Sequence, residues 1–298
     1  MINFAIPGLY EHHHLNFTLL DLMKHHPEYF YDDVQIEAAY GNFHFCIWDG
    51  GRIFQKYRQT TIEEVQDIVN TYNNEFGVAV RLIFTNNQLK PEHYLDRWCN
   101  MVLSVCENEK NQIVLVDDGL REHIEKNFPK YHFISSTTKC ITSTEDLKAE
   151  LNRDEFDEVC LDYNLNKNMK FLDTLNEKEI SKSEFLINAI CPPACPNRKD
   201  HYRLNSLMHL FYGKEYRVPS CPIKGSTIDP CTMGYHNNFS PEEILNIYAP
   251  KGFQHFKLEG RTLSDLENAC NYVRYMVKPE YQFLVLSILI PSEKRDLL

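Results

Sequence analysis

Four cysteines, Cys191, Cys195, Cys221 and Cys231, crowd together late in the chain in the pattern C-x3-C-x25-C-x9-C. Four clustered thiols can do three things: hold zinc, hold an iron-sulfur cluster, or pair as disulfides. Four thiolates suit tetrahedral zinc and a cluster equally well by donor type. Structural zinc favours two close C-x(2–4)-C pairs. Cys191 and Cys195 form one such pair, whereas Cys221 and Cys231 lie too far apart to form the second. The irregular spacing therefore tilts slightly toward a cuboidal cluster and leaves zinc open. Arg198 and His201 follow directly. Arg198 is placed to balance the negative charge of a thiolate-ligated group, and His201 to act as a donor beside it or as an acid/base. The other six cysteines (Cys46, Cys99, Cys106, Cys140, Cys160 and Cys270) are scattered and read as small buried hydrophobes.

A second set of chemical residues lies further on. Lys257, Glu259 and Arg261 alternate, so in a strand all three point to one face. Three ionisable groups on one face of a buried strand are expensive unless paired or functional. At a barrel mouth, Lys257 and Arg261 would bind a carboxylate while Glu259 orients them or shuttles a proton. The competing reading is an ion-pair layer that plugs the barrel. Arg81 sits inside an apolar run and needs either a ligand anion or a carboxylate partner, Glu37 or Glu259 in the latter case. His12, His13 and His14 invite a metal reading, but adjacent loop residues cannot all face one ion. Gly50-Gly51 would allow positive φ and a close backbone approach to a ligand, or simply a turn. Ser135–Lys139 and Asp162–Asn164 offer hydrogen bonding at the ends of two further strands.

These residues belong to a chain of 298 residues, 43% hydrophobic and 24% charged, which is enough to bury a sizeable core. The formal net charge of −11 disfavours a general nucleic-acid-coating role, although a local basic patch is compatible with it. The N-terminal MINFAIPGLYEHHH lacks the pattern of a signal peptide, and the apolar run Phe283–Ile290 is too short to cross a membrane. A cytoplasmic protein is expected. Thiols stay reduced there, which argues against the disulfide reading.

The elements that must position the site alternate strand and helix. Strand-like runs fall at Asn3–Pro7, Val34–Ala39, Val78–Phe84, Gln112–Val116, His132–Ser135, Val159–Tyr163, Glu184–Ile190 and Phe253–Leu258. Several are nearly continuous apolar runs, as parallel strands covered on both faces should be. Helical patterns fall at Thr61–Tyr72, which opens like a capping box with Glu64, and at Tyr94–Cys106, Gly119–Asn127, Ser143–Asn152, Ser240–Tyr248 and Ser264–Met276. Eight alternations predict an α/β (β/α)8 TIM-like barrel over residues 1–298 as a single domain, with a doubly wound open sheet as the alternative. No GxGxxG or GxxxxGK[ST] sequence is present, so nothing supports a dinucleotide or P-loop site. The longest gap between strands follows strand seven and contains all four clustered cysteines. Residues 191–251 then form a metal- or cluster-binding insertion at the C-terminal end of the strands, where barrel enzymes keep their active sites. A subdomain braced by structural zinc is the alternative.

Several segments carry a resemblance. INAICPPACPNRKDHY (Ile187–Tyr202), the two later cysteines, HFISST (His132–Thr137) and above all FKLEGR (Phe256–Arg261) resemble the collagenase-like peptidase family of unknown catalytic type, whose signature is K-[IL]-E-G-R. The chain departs from the family's usual H-G-x-x-C…S-G-R-C stretch, carrying Asn188-Ala189-Ile190-Cys191 and C-P-N-R instead, and so falls in a divergent branch. The resemblance implies a TIM barrel with a 4Fe-4S cluster on Cys191, Cys195, Cys221 and Cys231, and Lys257, Glu259 and Arg261 as polar groups at the mouth. Several family members are implicated in oxygen-independent hydroxylation of tRNA, rRNA or a ubiquinone precursor. The expectation is an iron-sulfur enzyme of redox or hydroxylation type acting on a small organic or cofactor-like substrate, with an electron or oxygen-atom donor as a further partner. The alternative is a zinc-stabilised barrel acting as a hydrolase, a peptidase or a non-catalytic binding protein. The peptidase form is the weakest, because H-E-x-x-H, G-x-S-x-G and a convincing Cys/His dyad are all absent.

Overall fold

The computed structural model describes residues 1–53, 57–212, 214, 216 and 238–290. Eight parallel strands close in sequence order into a barrel: β1 (Ile2–Pro7), β2 (Val34–Gly41), β3 (Ala79–Phe84), β4 (Gln112–Leu115), β5 (His132–Ser135), β6 (Glu158–Cys160), β7 (Ser183–Leu186) and β8 (His255–Lys257). β8 pairs back onto β1 through Asn3–His255, Phe4–Phe256 and Ala5–Lys257. The open-sheet alternative is therefore excluded. Every strand expected from the sequence is present, with ends shifted by a few residues.

The helices are α1 (His13–His25), α2 (Ile62–Asn70), α3 (Arg97–Cys106), α4 (Asp118–Asn127), α5 (Thr144–Leu151), α6 (Met169–Leu172), α7 (Glu177–Lys182), α8 (Arg198–Leu210), α9 (Pro241–Glu243), α10 (Asp265–Met276) and α11 (Gln282–Leu289). Except at α1, α8 and α11, their starts are written in short polar side chains that accept orphan backbone N–H groups. Asp117 caps α4, Ser143 caps α5, and Ser240 and Ser264 make full capping boxes with Glu243 and Glu267. At α2 only half of the expected box forms. Thr61 accepts from Glu64 N, but the Glu64 carboxylate turns away to Arg58 and to Tyr10 Oη. α11 occupies the apolar run near the end of the chain, packing Val285 and Leu289 inward. No helix among the described residues is long and apolar enough to cross a membrane.

Alternation along the strands sorts their side chains. Outward residues such as Phe4, Val80, Leu82, Ile113, Phe185 and Phe256 join the core under the helices. Inward residues stack in layers, as expected of a filled barrel. The middle layer holds Ala5, Tyr40, Ile83, Val114 and Ile134, with Cys160, Leu186 and Lys257 in phase. The layer beneath it is ionic. Arg81, fully buried, donates through Nε to Gln112 Oε1 at 2.8 Å and through Nη2 to Glu37 at 3.3 Å and Glu158 at 3.1 Å, and its Nη1 is bonded to Glu184. His255 Nδ1 reaches Glu37 Oε2 at 2.8 Å, and Lys257 Nζ lies 3.7 Å from Glu184. Three carboxylates thus face Arg81, His255 and Lys257, three potential cations. An ion-pair plug does exist in this barrel, but it sits one layer below the Lys257–Arg261 stripe and is built around Arg81. Of the two partners expected for Arg81, Glu37 is found and Glu259 is not.

Glu37, Glu158 and His255 also place their donor atoms close enough to surround an ion. Arg81 already fills that position, bonding both carboxylates, so the group is an ion-pair cluster in its own right. Burial opposes charge on His255, but the hydrogen bond to Glu37 and the nearby Glu158 outweigh it and raise its pKa to about 9. A folded-state pKa above the unfolded value of about 6.5 contributes stability fully below that value and loses it as pH rises through about 9. The stability of the wild-type protein is expected to fall by up to roughly 3 kcal/mol between pH 6.5 and 9.5 from this group. His255→Gln should flatten that slope in urea titrations run across the same range. An unchanged slope would show that His255 is not charged in the fold.

Candidate active site at the barrel mouth

Above Lys257 the barrel opens into a cavity of about 590 Å3. Its floor is Tyr40, Ile83, Val114 and Leu186 from the middle layer, and its walls come from the strand ends. Lys257, Glu259 and Arg261 all line it, so the alternation read from the sequence does bring the three to one face. Lys257 is only 7% exposed and places Nζ 4.3 Å from the centre of the Tyr40 ring, in a cation–π contact.

Glu259 does not orient the other two, as expected; it is bound to Arg52. Its second oxygen accepts from Ile190 N at 2.9 Å. Its main chain exchanges two hydrogen bonds with the Asn188 side chain, at 2.6 and 2.9 Å. Glu259 therefore ties the end of β8 to the end of β7 and holds Arg52 over the cavity. Arg261 is paired with Asp49 at 2.8 Å. Arg52 and Asp49, which complete the ionic pattern, both come from the loop after β2. The sequence places both at the barrel mouth after strand two but not their pairing, because their partners lie more than two hundred residues away.

That loop explains the Gly50-Gly51 pair. Neither residue takes positive φ. Gly50 is required because a Cβ there would lie 2.6 Å from Asn86 Cα and from Thr85 O, so the close approach is to β3's own end. Gly51 lines the cavity and donates its N–H to Thr85 Oγ1 at 3.0 Å. Ser136, Thr137 and Thr138 supply hydroxyls to the same wall, as the strand-five reading anticipated. Asp162, just past the end of β6, is bonded to Arg198.

Cys191 emerges from β7 into the cavity wall, with Arg52 Nη2 3.7 Å from its sulfur. Burial pushes the thiol pKa up, while Arg52 and Arg198 act in the opposite direction. Cys195 lies half-buried on the same turn, in which Ala194 adopts φ 52° and donates its N–H to Asn164 Oδ1 at 2.8 Å. Cys221 and Cys231 lie outside the described residues, as does much of the 191–251 insertion. The described part of that insertion is not an irregular loop. It carries α8 and a helical run from Pro241 to Lys251.

Arg198, expected to balance charge beside a bound group, favours the Cys191 thiolate electrostatically while its own hydrogen bonds go to the protein. It bonds Asp162 at 2.5 Å, Thr137 O at 2.9 Å and Thr137 Oγ1 at 3.2 Å, and stacks 4.2 Å over Tyr163. It is the bolt that fixes the start of α8 across the barrel mouth. Further along α8, Asn205 and His209 bond the carbonyls of Gly51 and Arg52 at 3.2 and 2.7 Å. The helix thereby shapes the loop that presents Arg52. His201, on the same helix, lines a neighbouring cavity with Arg52 and Cys191, and its pKa is lowered by burial first and by Arg52 second.

The triple histidine also resolves into separate roles. His13 and His14 open α1, whereas His12 precedes it and bonds Asp265. No protein-family model matches this chain, and no curated protein matches it.

Proposed function

We propose that this protein is a barrel enzyme that carries a thiolate-held 4Fe-4S cluster beside the mouth cavity and performs redox or oxygen-independent hydroxylation-type chemistry on a small organic anion. The observation that carries the reading is the place of Cys191: its thiol forms part of the cavity wall, next to a guanidinium. The donor set fits such a group. Cys191 and Cys195 share one pinned turn, and Cys221 and Cys231 follow within the same insertion. The FKLEGR segment, whose Lys257, Glu259 and Arg261 line the cavity, supports it through the family resemblance.

In this reading Cys191, Cys195, Cys221 and Cys231 hold the cluster. When bound, it supplies one-electron transfer next to the substrate. Arg52 lowers the cost of negative charge on the Cys191 sulfur. Lys257 and Arg261 attract a carboxylate or phenolate. The Thr85, Ser136 and Thr138 hydroxyls set its orientation, and Glu259 keeps Arg52 and the β7 end in register. The surroundings are cytoplasmic and keep the thiols reduced. Metal analysis of protein purified under strict anaerobiosis tests this. Iron and acid-labile sulfide in equal amounts, with a brown colour, are expected. Stoichiometric zinc without iron would replace the reading with a zinc-braced barrel.

A further inference from the structure

A second cavity, of about 1050 Å3, opens on the other side of Arg261 and has no part in the function proposed above. Its wall is the turn from β1 into α1. Gly8, at φ 79°, makes that turn, and a Cβ there would lie 2.3 Å from His12 Cδ2, so only glycine lets the His12 ring fold back against the strand end. His12 is nine-tenths buried, and its Nδ1 lies 2.7 Å from Asp265 Oδ1. A carboxylate on Nδ1 fixes the tautomer with that nitrogen protonated, which leaves the Nε2 lone pair free. Nε2 is buried and meets no hydrogen-bond partner among the described residues.

Glu11, on the same wall, is in the same condition. Both carboxylate oxygens are buried and neither has a hydrogen-bond partner among the described residues. The closest ring nitrogen, His44 Nε2, stands 3.8 Å from Oε1, beyond hydrogen-bond reach. Arg261 borders the cavity but gives Nη1 to Asp49. Arg58 borders it too, but is bonded to Glu64 and stacked on Tyr10. Three buried acceptor atoms, on two residues that line this cavity, therefore have no hydrogen-bond donor among the described residues. Leaving buried acceptors unsatisfied is costly, and a group that supplies donors there would bind.

We propose that this second cavity is a binding site for a primary ammonium group, held by the Glu11 carboxylate and by His12 Nε2. An ammonium carries three N–H donors and no acceptor, which matches three unpartnered acceptors. Its charge is complementary to Glu11. Asp265 is a positioning residue that keeps the His12 lone pair turned to the cavity.

Burial raises the Glu11 pKa to about 7, opposed first by its own backbone N–H, then by Arg261 and by His12 when that ring is protonated, with Asp49 adding to it. His44 faces the carboxylate as well, and His13, His14 and Arg58 share the wall. The ammonium selects the ionised carboxylate, so affinity rises with pH and levels off above the Glu11 value. Between pH 8 and pH 6 it should fall about tenfold.

The test uses the full-length chain and butylammonium chloride as probe, with tetramethylammonium chloride and butanol as controls. Binding is followed through the carboxyl carbon of Glu11 by NMR of protein labelled at glutamate. Saturable binding of butylammonium is expected, with no response to either control and the tenfold pH effect. Glu11→Gln, which keeps shape and removes charge, should weaken binding at least tenfold, measured by calorimetry on a variant whose melting curve matches the wild type. Asp265→Asn should weaken it severalfold without moving the Glu11 titration. Absence of saturable binding, equal binding of tetramethylammonium, or unchanged affinity in Glu11→Gln would overturn the proposal.

Discussion

Replacing Arg81 with leucine is expected to destabilise the fold by about 3–5 kcal/mol, the cost of breaking a buried ion pair by removing one partner. The effect is large because Arg81 is fully buried and serves Glu37, Glu158 and Glu184 together. Without it three carboxylates remain, with only His255 and Lys257 to balance them. Burial already raises the Glu158 pKa, whereas for Glu184 burial is outweighed by Lys257 and Arg81, which hold it low. Removing Arg81 lets both shift upward. The deficit should therefore shrink as pH falls and the carboxyls take up protons, whereas a lost apolar contact would cost the same at every pH. Urea titrations of wild type and Arg81→Leu at pH 5 and pH 8 measure this. A deficit under 1 kcal/mol at pH 8, or one independent of pH, would show that the plug is not held by Arg81.

The second large effect is expected at Cys191. Cys191→Ser replaces a thiolate with a hydroxyl that stays protonated and does not ligate iron or zinc comparably. Bound metal in anaerobic preparations should drop at least about tenfold while far-ultraviolet circular dichroism stays unchanged, because the sulfur lies at the cavity wall and not in the packed core. Cys106→Ser is the contrast. Cys106 is fully buried under the helices, and burial pushes its thiol pKa up, so it is an inert apolar filler. That substitution should lower stability and leave the metal content alone. Equal metal loss in both variants would mean general damage in place of a lost ligand.

The barrel was legible because the barrel strands leave a direct mark: short apolar runs such as Leu82–Phe84 and Ile113–Leu115, recurring between helical patterns, cannot be exposed. α8 left no such mark. Its buried face includes Arg198, Asn205, Ser206 and His209, polar residues that bond Asp162, the 50–52 backbone and the end of β3, so apolar periodicity fails where the packing is made of hydrogen bonds. α1 was hidden for a related reason, since it opens with histidines and buries Asn16 against Pro7 O and Tyr72 Oη. The inward phase of β8 was readable, and so were Lys257, Glu259 and Arg261 as one stripe. Their partners were not, because Arg52 and Asp49 meet them only through barrel closure. Glu158 and Glu184 could have been found. Each stands at the start of its strand in the same inward phase as Arg81, but β6 was placed one residue late, which left Glu158 outside it.

The central claim is that the cysteines and the cavity form one site, and electron paramagnetic resonance of the anaerobic, dithionite-reduced protein tests it most directly. The account predicts the signal of a reduced four-iron cluster, absent in Cys191→Ser and altered in line shape when propionate is added to occupy the cavity beside Lys257 and Arg261. A protein that holds zinc and gives no such signal, or a cluster signal that persists unchanged in Cys191→Ser, would contradict it.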